Sequence, residues 1–388
     1  MESKAIAAPL RVSPDRVALY GTFFAALVSI RFILDPAYFR VVAYRGDIGN
    51  FWSVGATVGS PALANVALHI AWQNAHGLGR NPFLYLPGFA WLYAPLAHLP
   101  IMTALVVEEL SMAAICAWAA WLLARLYRFP LWFAFACVFA WGPTVSMIEL
   151  GQNAGLALAL ALTAIVALVR GRDLLAGVAI GLLLYKPTEA VPLILLLLMR
   201  RQWRAVGVVG ICATGWYLLS VPATHGDWRW FVTYAHTIRD FYSYVVSAQS
   251  DRAFTLPTLL VAMGAPTVAA LFASLAMLLL ALPLFARGSA LEAGSMATMV
   301  GLAASTYAWP YEACILLPGV CFAMVRLTEP WRSRIVVAAY FIASIGMIVP
   351  YGAHSLAIIG VGGVAWWMLD GYLGPNAPAR FWIARARS

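Results

Sequence analysis

The chain has 388 residues, of which 63% are hydrophobic and only 11% charged, and its mean hydropathy is +0.82. Soluble domains carry roughly 25% charged residues, so the composition excludes a water-soluble globular protein and defines a polytopic membrane protein. The 25 Lys and Arg residues outnumber the 16 Asp and Glu residues, but they fall in short clusters between apolar runs, as in the loops of membrane proteins, and nucleic acid is not an expected partner.

Apolar segments recur from end to end without a soluble stretch between them, which predicts a single integral domain over residues 1–388. The fold class expected is all-α, a transmembrane helical bundle of about 12 spans. The predicted spans cover 17–34, 101–123, 131–148, 156–169, 174–184, 190–199, 205–221, 265–285, 293–307, 311–325, 335–349 and 355–369. Lys4, Arg11 and Arg16 precede the first run, which lacks a convincing small-residue cleavage site and reads as a retained helix. Cys116, Cys137, Cys212, Cys314 and Cys321 all lie inside apolar runs and read as packing residues.

After the first span comes Tyr44-Arg45-Gly46-Asp47-Ile48-Gly49-Asn50-Phe51-Trp52, read as a polar loop in which water, substrate and protein can meet. Asp47 is the candidate catalytic base. The competing reading pairs Asp47 with Arg45 and leaves the acid a structural role. Residues 61–77 predict a juxtamembrane helix, with Asn65, His69, Gln73 and His76 along one side and Leu63, Val66 and Ile70 on the other. Its polar side reads as a wet stripe, and no His-Glu-x-x-His spacing argues for a metal. Residues 82–100 are apolar but carry Pro82, Pro87, Pro95 and Pro100, which predicts a bent or re-entrant segment.

Within the second span, Glu108 and Glu109 require that at least one carboxylate face the bundle or a cavity. Glu149-Leu150-Gly151-Gln152-Asn153 joins two spans by a tight turn, and Gln152 and Asn153 suit sugar hydroxyls, although Asn153 also suits a helix cap. Lys186, in Tyr185-Lys186-Pro187-Thr188, suits an anionic phosphate, with an ion pair to Glu189 as the alternative. Residues 222–257 form a long loop whose Trp228, Trp230, Tyr234 and Tyr242 read chiefly as an interfacial belt, with sugar stacking as the other use. A last aromatic and acidic turn holds Tyr307, Trp309, Tyr311 and Glu312.

Seventeen of the 25 basic residues fall on one side of the alternating spans, which places both termini in the cytoplasm and Asp47, Gln152 and Lys186 outside. If residues 82–100 cross the membrane and the N-terminus lies outside, the split is nearly the same, so charge leaves both topologies open.

In their order, the acid of the first outer loop, Tyr85-Leu86-Pro87 to Leu99-Pro100, Gly151-Gln152-Asn153, Arg170-Gly171-Arg172, Ala176-Gly177, Lys186-Pro187 and Arg200-Arg201-Gln202-Trp203-Arg204 resemble glycosyltransferase family 87. The resemblance covers residues 40–210, with a weaker echo at Tyr307 to Pro318. It implies the GT-C architecture and a polyprenyl-phosphate-linked sugar donor, such as a mannosyl donor. It also implies transfer to a glycolipid or glycan acceptor outside the cytoplasmic membrane. The expected chemistry is inverting displacement with Asp47 as base and Lys186 or Arg45 offsetting the charge of the departing phosphate. Arg45, Gln152, Asn153, Lys186, Tyr311 and Glu312 are the expected substrate-binding residues. No metal or other cofactor is expected, and no Asp-x-Asp motif or P-loop offers a nucleotide site. A transporter or flippase of a lipid-linked substrate is the rival class, to which Glu108 and Glu109 point, although matching inverted halves are not evident.

Overall fold

The computed structural model of the chain describes residues 36–248, 254–326 and 354–373. The described residues form helices and irregular segments, with no strand among them. The expected spans 17–34 and 335–349 lie outside the described residues.

The first described segment is a pair of short helices, α1 (Pro36–Arg45) and α2 (Asp47–Thr57), broken at Gly46. The expected loop at 44–52 is therefore helical except at that one residue. The helix expected at 61–77 is likewise two pieces, α3 (Pro61–Ala64) and α4 (Val66–Ala75). Asn65 makes the break, because its Oδ1 accepts from Ala67 N and Leu68 N and starts a new helix. Residues 82–100 are bent, as their prolines predict: two 3-10 turns, Pro87–Leu92 and Leu96–His98, replace a helix.

Next come α5 (Ile101–Tyr127), the pair α6 (Leu131–Phe139) and α7 (Gly142–Glu149), α8 (Ala154–Val169), α9 (Asp173–Leu183), α10 (Pro187–Met199) and α11 (Trp203–Ala223). The expected loop at 222–257 is largely a helix, α12 (Trp230–Ala248), followed by α13 (Leu256–Ala262). Its aromatic and charged residues hid a helical segment because they lack the apolar run of a span. Then follow α14 (Thr267–Arg287), α15 (Ala290–Ala304), a 3-10 turn at Pro310–Leu316, α16 (Leu317–Arg326) and α17 (His354–Leu373). The apolar stretch expected to be one span at 311–325 is thus a 3-10 turn leading into a 10-residue helix.

Among the described residues, four helices are long and apolar enough to cross a membrane: α5, α11, α14 and the Leu356–Leu373 part of α17. The pair α6 and α7, bent by 63°, makes up to five. Helices α8, α9, α10 and α15 are apolar but shorter. The structure is that of a helical membrane protein, and among the described residues fewer helices have the length of a full span than the ten expected there from hydropathy.

The core runs through α8 and α15. Helix α8, AGLALALALTAIVALV, is buried on most sides, and its alanines let α5, α9, α15 and the Pro310–Leu316 turn approach closely. Trp141 Nε1 donates to Ala313 O at 3.0 Å, tying the α6–α7 bend to that turn. Tyr127 donates its hydroxyl to Pro318 O at 2.7 Å, tying the end of α5 to α16. The cysteines are free, and all except the partly exposed Cys212 are buried in this packing. Glu108 on α5 is buried, whereas Glu109 is partly exposed, so the inward carboxylate expected of the pair is Glu108.

Candidate active site

Gly46 places Asp47. Its N–H donates to Val42 O at 2.8 Å, and a Cβ at this position would collide with that same carbonyl. The chain can therefore turn directly from α1 into α2, with Asp47 as the first residue of the new helix. The helix N-terminus favours a carboxylate there. Asp47 is partly buried, and the desolvation this brings has the larger effect and raises its pKa to about 6, opposed by a hydrogen bond from Gln152 and reinforced by the nearby Glu312 carboxylate. The side chain of Arg45 is not described, so the expected Asp47–Arg45 pair has no geometry to report.

The α7–α8 turn brings Gln152 to this acid. Gly151 adopts φ +64°, and a Cβ there would lie 2.9 Å from Cβ of Ile48, the residue next to Asp47. Only glycine satisfies both the left-handed backbone and the close approach. Gln152, buried, donates from Nε2 to the Tyr311 hydroxyl at 3.0 Å, while its Oε1 accepts from the Tyr85 hydroxyl at 3.3 Å. One amide thus joins the α2 acid to two tyrosines from distant parts of the chain.

Asn153 occupies the cap position of α8 but makes no side-chain cap hydrogen bond. Its Nδ2 donates to the Tyr93 hydroxyl at 3.3 Å, and its backbone carbonyl accepts from the Tyr185 hydroxyl at 3.2 Å. The capping reading of Asn153 therefore gives way to that of a tether between two buried tyrosines.

Lys186 stands between α9 and α10, buried, with its Nζ 3.2 Å from Glu189 Oε1 and 2.9 Å from Glu312 Oε1. Burial disfavours its charge, but the two carboxylates prevail and hold its pKa well above that of an ordinary lysine. The Glu189 pair anticipated from sequence is present, joined by a second carboxylate 126 positions further along the chain. Glu312 is fixed in turn because its Oε2 accepts from Trp309 N at 2.7 Å. Lys186 also stands 5.6 Å from the centre of the Tyr85 ring.

The structure thus brings Asp47, Gln152, Asn153, Lys186, Tyr311 and Glu312 into one connected polar cluster. Sequence reasoning passed over the aromatic column that supports it. Phe51 stacks on Tyr93 at 4.5 Å, and Phe89 stacks on Tyr185 at 4.1 Å, which itself lies 5.9 Å from Tyr85. Tyr85 and Tyr185 stand two positions before Pro87 and Pro187, but that spacing alone does not separate a buried column from an interfacial belt.

The polar stripe on α4 also differs from expectation. His69 and Gln73 are buried against α2, not wet. Gln73 Nε2 lies 3.1 Å from Asn50 Oδ1 and 3.0 Å from Ser53 Oγ, and His69 Nε2 lies 3.1 Å from Ser53 Oγ. The spacing of four identified one face of a helix, and a second polar face on α2, at Asn50, Ser53 and Thr57, supplied its partner. Burial lowers the His69 pKa to about 4, so the ring is neutral. Among the described residues no three His, Cys, Asp or Glu side chains are grouped to hold a metal ion.

Fold and cluster together define an all-helical membrane protein with a buried site of one acid, one amide, a doubly paired lysine and several tyrosines. The model of glycosyltransferase family 87 matches residues 83–318, more than half of the chain. The chain belongs to glycosyltransferase family 87. The match contains Gln152, Asn153, Lys186, Tyr311 and Glu312, while Arg45 and Asp47 precede it. Comparison with curated proteins and with solved structures gives no significant match.

Proposed function

We propose that the protein is an inverting glycosyltransferase that moves a sugar from a polyprenyl-phosphate donor to a glycolipid or glycan acceptor, with Asp47 as the general base. The observation that carries this reading is the Asp47 carboxylate, held by Gln152 beside the lysine cluster with its pKa raised to about 6. A base poised there is ionised at neutral pH yet takes a proton more readily than an ordinary aspartate. Asp47 accepts the acceptor hydroxyl's proton while that oxygen bonds to the anomeric carbon. The bond from that carbon to the phosphate oxygen breaks on the opposite face, and its electron pair leaves with the polyprenyl phosphate.

With Glu189 and Glu312 both in place, the positive charge of Lys186 is already taken up by carboxylates and is not free for an anion. In this proposal a phosphate oxygen replaces one of those carboxylates, and Arg45, two positions before Asp47, supplies a second cation. Tyr311 and Glu312 contact the sugar from the late turn, and Gln152 and Asn153 do so from the α7–α8 turn. The family match favours the enzyme over a transporter or flippase. The reading includes the GT-C architecture with about 12 spans, in which the short helices α8, α9, α10 and α15 count as membrane segments of the bundle. It places the protein in the cytoplasmic membrane with the cluster facing outward: both ways of counting the basic residues leave Gln152 and Lys186 on the outer side, and the family resemblance implies the same side for Asp47.

The test uses purified protein, a polyprenyl-phosphate hexose and a membrane-extract acceptor. Asp47→Asn should fold and bind donor but lose at least about 100-fold in turnover. Near wild-type transfer by this variant would remove Asp47 as the base.

A further inference from the structure

We infer that Glu108, the carboxylate buried in α5, is a positioning residue for the reaction: through Tyr93 and Asn153 it fixes the α7–α8 turn that holds Gln152 against Asp47. The inference rests on the glycosyltransferase reading above, and it gives a role in the enzyme to an acid that otherwise points to a transporter.

Packing does not account for this acid. One face of α5 meets the α7–α8 turn and the start of α8: a Cβ on Gly151 would lie 3.4 Å from Leu105 Cδ1, and a Cβ on Gly155 3.0 Å from Cys116 Sγ. Glu108 and Met112 fall between Leu105 and Cys116 at helical spacing, and all four side chains are buried. Apolar groups alone would close such a seam, and a carboxylate inside a span is costly. Glu108 is not even fully satisfied, since its buried Oε1 has no hydrogen-bond partner among the described residues. A buried acid that is retained under those conditions calls for a role, which its one partner supplies.

That partner is Tyr93, whose hydroxyl bonds the Glu108 carboxylate. A phenol has a single proton to donate. With the proton directed at Glu108, the Tyr93 oxygen can only accept on its other side, and it accepts from Asn153 Nδ2 at 3.3 Å. The carboxylate therefore dictates which way the Asn153 amide faces, leaving Oδ1 toward the Tyr185 hydroxyl at 3.5 Å. Without it the Tyr93 proton is free to turn on Asn153, and the amide loses its reason to hold one orientation.

Tyr93 is also where the two halves of the site meet. Its ring stacks on Phe51 of α2, and its backbone carbonyl lies so close to Gly55 that a Cβ there would collide with it. Asp47 opens that same helix, and Gln152 immediately precedes Asn153. Tyr93 thus braces the helix of the acid against the turn of the amide, and Glu108 anchors the brace to α5. Loosening it lets Gln152 withdraw from Asp47.

The experiment compares three variants of the purified protein in nanodiscs. Glu108→Gln keeps an acceptor for Tyr93 and should transfer sugar at nearly the wild-type rate. Glu108→Leu removes the acceptor, and Tyr93→Phe removes the hydroxyl from the other end of the same bond. Each should lower kcat about tenfold with little change in donor KM, and Glu108→Leu with Tyr93→Phe should be no worse than either alone. The acid limb of kcat/KM should move to higher pH in both, because Gln152 no longer favours ionised Asp47. The other groups facing Asp47, which are Glu312, Tyr85 and Tyr311, are unchanged in every variant. A second readout needs no turnover: with the six asparagines labelled with nitrogen-15, the Asn153 side-chain signal, identified by its loss in Asn153→Ser, should shift in Glu108→Leu and Tyr93→Phe and stay in Glu108→Gln. Additive losses, an unmoved pH profile, activity that falls only with the thermal midpoint, or a Glu108→Gln variant as impaired as Glu108→Leu would overturn the positioning role. Transfer at the wild-type rate in all variants overturns it and leaves the enzyme reading standing. The expected Asn153 shifts without transfer from any lipid donor support the brace and count against the donor reading.

Discussion

Asp47 has opposite effects on activity and stability. As a base it acts only when ionised, so kcat/KM should rise about tenfold per pH unit below about 6 and level off above. The stability effect runs the other way. Its folded pKa, about 6, exceeds the ordinary aspartate value of 3.8, so the fold favours the protonated acid. That contribution is complete below about 3.8 and is lost as pH rises through about 6. At pH 7.5 Asp47→Asn should therefore stabilise the protein by ~1–2 kcal/mol, the ~3 kcal/mol of the full shift discounted for partial exposure. Thermal unfolding of both proteins at pH 4 and pH 7.5 checks this: the gap should open as pH rises, and a gap independent of pH would show that Asp47 is not buried as a charge. Residues of this kind were legible in the sequence, because Asp47, Gln152, Lys186 and Glu312 interrupt apolar runs where polarity is costly. Tyr85, Tyr93 and Tyr185 were not, since a tyrosine in a membrane protein suits an interfacial belt as well as a buried column. Pairing across distance was also hidden. Nothing in the neighbourhood of Lys186 announces Glu312, and nothing in the α4 stripe announces Asn50 and Ser53 on α2.

At the scale of elements, the α7–α8 turn sets the site. Gly151→Ala would add a Cβ 2.9 Å from Ile48 Cβ and strain a φ of +64°. The expected cost is ~1–2 kcal/mol of stability, with a larger loss of transfer because Gln152 moves away from Asp47. Ile48→Ala in the same chain relieves the contact but not the backbone strain, so it should recover part of the activity. Activity that follows stability in strict proportion, with no recovery in the double variant, would show that the turn is only structural. Element type was readable from periodicity and proline placement, as at residues 82–100. Boundaries were less so. A single glycine splits 36–57 into two helices, and a single asparagine splits 61–75, because each supplies a local backbone solution that hydropathy does not record. Helix α12 was missed for the reverse reason, its aromatic and charged residues resembling a loop.

At the scale of the whole molecule, several apolar helices are too short to cross a bilayer unaided. Helix α9, with 11 residues, is about 17 Å long against a hydrocarbon core of about 30 Å. It is not hidden from its surroundings, since Leu174, Leu175, Val178 and Leu182 are exposed along it. If α9 is a membrane segment, as proposed above, surrounding lipid has to shorten to match such a surface. Transfer rates in vesicles should then be higher with 14-carbon than with 22-carbon acyl chains, and equal rates across that series would mean that α9 does not meet lipid. Helix α9 ends at the residues that lead into Lys186. On that proposal, a bilayer dimpled around it would lower the headgroup plane toward the polar cluster. A lipid-linked substrate diffusing in that leaflet would arrive already near the depth of the site, carried down by the contour of the membrane instead of being lifted out of it.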